Sequence, residues 1–170
     1  MIDHPVRITY GTASLKDAEQ LAALNAAVAD DLTRRFGKGH WSSTGTIRGA
    51  LHHLKTSTVI LARAKHGVVA TLRLAMKKPW AIDAKHFTRA EKPIYLVGMA
   101  VHPEAQGKGV GRRLMGEAAK VARRLACDAI RLDAYDDRAG AGEFYAKCGY
   151  REVARVKYRG TPLIYYEVML

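Results

Sequence analysis

Acidic residues are scarce in this chain. Sixteen aspartates and glutamates stand against 28 lysines and arginines, a formal net charge of +12 with histidine neutral. Such a surface attracts polyanions, whether nucleic acid, an acidic acceptor or a phosphorylated cofactor. The excess is not gathered into a tail. The first 90 residues carry 14 basic and 6 acidic residues, the last 80 carry 14 and 10, and no block of five like charges occurs. Cysteine is nearly absent. Cys127 and Cys148, 21 positions apart, supply neither a disulfide framework nor a zinc ligand set, and reduced thiols in a cytoplasmic protein are expected. The longest apolar run, Ile94 to Val101, is far too short to span a membrane. Met1-Ile2-Asp3-His4-Pro5 has neither the basic start nor the apolar stretch of a signal peptide. There is no internal repeat, and there is no RNA-binding aromatic pattern, zinc finger or helix-turn-helix arrangement. Charge alone therefore speaks for nucleic acid. Histidines lack an H-x-x-x-H pairing with a third ligand, so no metal is expected. What remains, 170 residues with 48% hydrophobic content, suits a single domain over 1–170 with a core of its own.

The pattern along the chain alternates between periods. Val6 to Tyr10 reads as a strand ended by Gly11. Ser14 and Asp17 resemble a capping box before a helix running to about Arg35, with Leu21, Leu24, Val28 and Leu32 at helical spacing. A second short helix places Ile47, Leu51 and Leu54 on one face. Thr58–Ala64 and Val68–Met76 form a hairpin about a tight turn at 65–67. Trp80 to Pro93 has no period. Ile94–Val101 reads as a strand buried on both faces, with Gly98 marking a bulge. A helix with Leu114, Ala118, Val121, Ala122 and Leu125 on one face leads to a strand at Ala129–Tyr135, parallel to the last by the crossover rule. A helix over 141–147 and strands over 152–157 and 163–168 close the chain. The order βααββ-βαβ-αββ predicts an α/β fold with a mixed central sheet and flanking helices.

The segment His102 to Arg112 carries the chemistry. Glycines 107, 109 and 111 between a buried strand and a helix start let main-chain amides turn toward an anion. Lys108, Arg112 and Arg113 add charge. A Walker loop is excluded, because no Lys-Ser or Lys-Thr follows the glycines. A dinucleotide fingerprint stays open: Arg112 stands where its third glycine belongs, although Asp133 lies near the expected acidic position.

A third reading fits both this loop and a later block. Gln106-x-x-Gly109-x-Gly111 resembles the acyl-CoA signature of the GNAT superfamily of N-acyltransferases. Ala141-x-x-Phe144-Tyr145-x-Lys147-Cys148-Gly149-Tyr150 resembles that superfamily's late segment, and the element order agrees along nearly the whole chain. The resemblance implies an acetyltransferase using acetyl-CoA (coenzyme A) as cosubstrate and an amine-bearing small molecule or protein as acceptor. It implies a fold whose fourth and fifth strands part to admit pantetheine. It assigns Met99, Ala100 and Val101 to the pantetheine arm and Gln106, Gly107, Lys108, Gly109, Val110, Gly111 and Arg112 to the diphosphate, with Arg138 and Phe144 also toward the cofactor. It makes Tyr145 the proton donor to the departing thiolate. Exposed final strands in such sheets admit pairing into a homodimer.

Two departures stand out. Arg138 occupies the position of a common family asparagine, and the fourth strand, Leu96-Val97-Gly98-Met99, has no carboxylate to serve as base. Asp133 and Tyr135 near the end of their strand, or His102, are the alternatives for that role. Amides near Gly98 are expected to stabilise developing oxygen charge. His52 and His53 read as surface residues. His40, Trp41, Tyr158 and Arg159 fall in regions that shape the acceptor site by analogy. The competing class is a coenzyme A-binding regulatory or nucleic-acid-associated module without catalysis, to which the missing carboxylate and the charge of +12 lend weight.

Overall fold

The computed structural model describes residues 7–170. Its strands hydrogen-bond in the order β1-β2-β3-β4-β5-β7-β6: β1 is Thr9–Thr12, β2 Thr58–Ala64, β3 Gly67–Ala75, β4 Pro93–Val101, β5 Ala129–Tyr135, β6 Arg151–Tyr158 and β7 Thr161–Met169. The helices are α1 (Ala18–Phe36), α2 (Ile47–Thr56), α3 (Val110–Arg124) and α4 (Gly142–Lys147). This is the expected order of elements. The chain clusters into two compact units, one of residues up to Arg73 with Gly98–Glu117, the other of Leu74–Val97 with Ala118–Leu170.

In the first unit, β1 pairs antiparallel with β2, Gly11 against Leu61 and Thr12 against Ile60. The strand thus runs through Gly11 instead of ending there, while Val6 of the expected strand lies outside the described residues. The capping pair heads a separate 3-10 turn, Leu15–Asp17, where the Ser14 amide donates to Asp17 Oδ2 at 2.7 Å. Arg63 donates to Asp17 and to Gln20, tying β2 to that turn and to α1. Gly37 ends α1 at φ +80°, its amide donating to the Thr33 carbonyl. Leu21 and Leu24 of α1 and Ala50 of α2 pack on Val59, Leu61, Val68 and Ala100. Each buried leucine there contributes about 1.5–3 kcal/mol of apolar transfer. Thr46 Oγ1 accepts from the Gly49 amide and starts α2. Ile47, expected on the buried face, is instead 48% exposed, because it is the first residue of the helix and the chain reaches the core only at Ala50.

In the second unit, β4 and β5 pair parallel, as the crossover rule requires, and β5 pairs antiparallel with β7 along its whole length. The stretch without a period proves to be a covering segment. Ile82 and Phe87 enter a core with Tyr95, Leu163 and Tyr165. The Tyr165 hydroxyl donates to the Ala81 carbonyl and accepts from the Asp83 amide. Glu167, fully buried on β7, accepts from the Thr88 amide, the Thr88 hydroxyl and Arg151. Arg131 on β5 donates to the Thr88 carbonyl and lies over the Phe87 ring. Burial works to raise the Glu167 pKa, but the bonds from Thr88 and Arg151 outweigh it and hold the carboxyl below its ordinary value. Leu125, expected on the buried face of α3, lies one residue past the helix and is 41% exposed. Neither cysteine is in a disulfide, Cys127 being buried and Cys148 half-buried.

Candidate active site

Strand β4 is apolar for most of its length, yet its burial is uneven. Ile94 to Leu96 and Ala100 are buried, Val97, Met99 and Val101 are half-buried, and Gly98 is exposed. Burial on both faces therefore holds only for the first half. The reason is Gly98, which adopts φ +64° and breaks the pleat at that point. The β4–β5 ladder spans Pro93–Tyr95 against Ala129–Arg131 and goes no further, although β5 continues to Tyr135 and β4 to Val101.

After β4 the chain turns through His102 and a 3-10 turn at Pro103–Ala105. His102 Nδ1 accepts from the Glu104 amide at 3.3 Å and thereby caps that turn, which occupies the nitrogen a base would use. Gln106 reaches back, its Nε2 donating to the Val101 carbonyl at 3.0 Å. Gly107 and Gly109 then adopt φ +71° and +77°, left-handed values that other residues rarely take. They lie just before α3, whose first internal bond runs from the Arg113 amide to the Gly109 carbonyl. Among the described residues, the amides of Gly107, Lys108, Gly109, Val110 and Gly111 donate to no protein acceptor. Gly107, Lys108 and Gly109 are exposed, and Val110 buries its side chain beneath them. Five adjacent free donors at the positive end of a 15-residue helix form an anion-binding nest. Lys108 and Arg112 are exposed at the same loop.

The second unit holds the other expected residues. Tyr145 lies on α4 and is 7% exposed, its ring against Phe144, Tyr150 and Tyr166. Burial pushes its pKa well up, and the charges of Asp133 and Cys148 act in the same direction, so the hydroxyl keeps its proton. Asp133 is half-buried on β5, opposite Tyr165 in the ladder, and burial raises its carboxyl. Tyr135, two residues on, is raised by burial and by Asp133. Phe144 is half-buried, and Arg138 is exposed. The structure thus groups Asp133, Tyr135, Phe144 and Tyr145 in one unit and Met99 to Arg112 in the other.

Of the residues expected near an acceptor, Trp41 donates from Nε1 to the Gly37 carbonyl and braces the end of α1, His40 is exposed, and Arg159 lies over the Tyr158 ring. His53 departs from its expected surface place. It is half-buried, and burial followed by the Arg73 charge lowers its pKa. Arg73 itself escaped the sequence reading. Its only sequence signal is a cation set among the branched and small residues of an otherwise apolar strand. Among the described residues no cluster of three or more histidine, cysteine or acidic side chains is placed to hold a metal, and no helix is long and apolar enough to cross a membrane.

Comparison with known proteins agrees with this fold. The chain is 27% identical over 143 residues to a glucosamine 6-phosphate N-acetyltransferase of Candida albicans, covering 84% of this chain and 83% of that protein. Its fold is shared with the PaiA N-acetyltransferase of Thermoplasma acidophilum solved with coenzyme A (TM-score 0.72, 14% identity, 95% and 99% of the two chains). A ribosomal-protein-alanine N-acetyltransferase of Brucella melitensis shares it as well (TM-score 0.71, 17% identity, 95% and 99%). Residues 25–150 match the acetyltransferase (GNAT) family, and the chain is a member of that family.

Proposed function

We propose that residues 1–170 act as one acyltransferase domain that moves an acetyl group from acetyl-CoA to a primary amine by direct attack on the thioester. The observation that carries this reading is the run of five amides, 107 to 111, that donate to no acceptor among the described residues, with left-handed glycines at 107 and 109 just before α3. A diphosphate fits that donor set, and the unladdered edge of β4 at Met99, Ala100 and Val101 supplies main-chain groups for the pantetheine amides. Gln106 closes the loop onto β4, Lys108, Arg112 and Arg138 offer charge to the phosphates, and Phe144 packs beside the acid.

Bound acetyl-CoA supplies an acyl carbon on a thiol leaving group: the N–C bond forms, the C–S bond breaks, and the sulfur takes up a proton. The remaining work falls to this chain. Tyr145 holds the proton the sulfur needs, and its raised pKa keeps that proton available across neutral pH. Asp133 is the base. Burial raises its pKa, which makes the ionised carboxylate a stronger proton acceptor, and its charge acts on Tyr145, which supports the pairing of base and acid. Tyr135 is a phenol whose already high pKa burial and Asp133 raise further, so it offers no anion near neutral pH, and His102 is engaged in the turn, so neither suits the role. Amides about the Gly98 bulge stabilise oxygen charge. Glucosamine 6-phosphate, named for the Candida relative, is the first acceptor to try. Two thiols with no disulfide suit the cytoplasm.

The test is twofold. Acetyl-CoA at about a hundred times its Kd stabilises by about 2.7 kcal/mol, which raises Tm by about 5–10 °C in a chain of this size. Thiol release over a panel of amines then follows turnover. No shift at millimolar acetyl-CoA refutes the site. A shift without thiol release for any amine refutes catalysis and leaves a coenzyme A-binding module.

A further inference from the structure

Among the described residues, Arg73, near the end of β3, is a half-buried cation without a counter-charge. Other arginines drawn against the sheet or its helices are matched: Arg63 by Asp17 and Gln20, Arg151 by Glu167, Arg155 by Glu152 and Asp136, and Arg131 by the Thr88 carbonyl and the Phe87 ring. Among the described residues, Arg73 makes no ion pair and no hydrogen bond. Burial alone pulls its pKa down, and no carboxylate acts against the shift. Its titratable neighbour is His53, which is itself disfavoured as a cation by burial and by Arg73. A guanidinium with five donors and no acceptor is costly to hold away from water, and the cost is offset when an anion arrives.

Its position is set by β4. Arg73 Nε and Nη2 lie 3.2 and 3.4 Å from where a Cβ on Gly98 would stand. Any side chain at 98 would push the guanidinium aside, so the bulge that opens β4 also makes room for Arg73. The next residues along the strand, Met99 to Val101, are those assigned above to pantetheine.

We propose that Arg73 is the anion-recognition residue of the acceptor site, and that the amine substrate carries a phosphate or carboxylate bound by the Arg73 guanidinium beside Gly98. This rests on the acyl-transfer reading and narrows its acceptor. A planar fork of N–H donors matches two oxygens of either anion at once, which a lysine cannot do. The net charge of +12 favours the approach of such acceptors.

Two matched pairs test it: glucosamine 6-phosphate against glucosamine, and β-alanine against β-alaninamide. The first pair reads phosphate and the second carboxylate. In thiol-release kinetics the wild type prefers the anionic member of at least one pair by about tenfold or more in kcat/KM, the size of one charge-assisted contact. Arg73→Gln erases that preference through KM, and Arg73→Lys, which keeps the charge but not the fork, stands between. Acetyl-CoA must stabilise Arg73→Gln as it does the wild type, which shows the variant folded. Equal losses on both members of each pair, or a wild type indifferent to the anion in both, overturn the proposal. If acetyl-CoA itself fails to stabilise the wild type, the acyl-transfer reading falls separately. Calorimetric binding of glucosamine 6-phosphate and β-alanine then decides for Arg73: weaker binding of either to Arg73→Gln supports it, and equal or absent binding of both overturns it.

Discussion

Gly109→Ala probes the amide nest with a single carbon. The added Cβ meets no heavy atom within 4 Å, so it clashes with nothing. Its effect is purely one of backbone conformation, because φ is +77° there. An alanine in the left-handed region costs about 1–2 kcal/mol. The loop has two responses. If it keeps its shape, the strain falls on folding, and Tm drops by about 2–8 °C. If the free loop relaxes to negative φ, the amides of residues 109–111 turn away, and the same 1–2 kcal/mol must be spent on binding, weakening coenzyme A by about 5- to 30-fold. Calorimetric titration of coenzyme A beside a melting curve separates the two. Gly109→Asn should lose less in either assay, because asparagine tolerates left-handed φ better than alanine does. A Gly109→Ala protein with unchanged Tm and unchanged coenzyme A affinity refutes the reasoning, since the strain would then appear nowhere.

Three further outcomes are expected. Tyr145→Phe should lower kcat by about 10- to 100-fold, the low end for a general acid because a thiolate departs readily, with coenzyme A affinity nearly unchanged; a wild-type rate in steady-state assays would remove Tyr145 from the mechanism. Asp133 has a raised pKa in the folded state, so it favours folding at low pH and that contribution is lost as pH rises through its folded value. Asp133→Asn should therefore melt higher than the wild type at pH 7, with the gain vanishing near pH 4, and should lose turnover; melting curves across pH and thiol-release rates check both. Glu167 is shifted the opposite way, so its contribution is present above an ordinary carboxyl pKa and lost as pH falls through the lowered one. Glu167→Gln should cost about 2 kcal/mol at pH 7, and the difference in chemical denaturation should shrink below about pH 4.

The parts legible in the sequence are those governed by local rules. The α3 stripe of Leu114, Ala118, Val121 and Ala122, the branched hairpin strands and the glycines of the loop each announce themselves within a dozen residues, and they carry the crossover and the nest. The covering segment was not legible, because Ile82 and Phe87 owe their burial to Tyr165, far along the chain, and have no period of their own. Glu167 and Arg131 look like solvent-facing charges in an alternating strand, yet Thr88 and Arg151 donate to one, and the other donates to the Thr88 carbonyl and lies over the Phe87 ring inside the fold. Ile47 and Leu125 match helical spacing but sit at helix ends, where periodicity does not decide burial. His53 and Arg73 are two basic side chains distant in sequence that the fold couples, which neither composition nor spacing reveals.

The most direct test of the nest is an amide proton–nitrogen correlation spectrum recorded while coenzyme A is added. The account predicts that the largest downfield proton shifts fall on Gly107, Lys108, Gly109, Val110 and Gly111, each gaining an acceptor. Shifts confined to other residues, with these five unmoved at saturation, would contradict it.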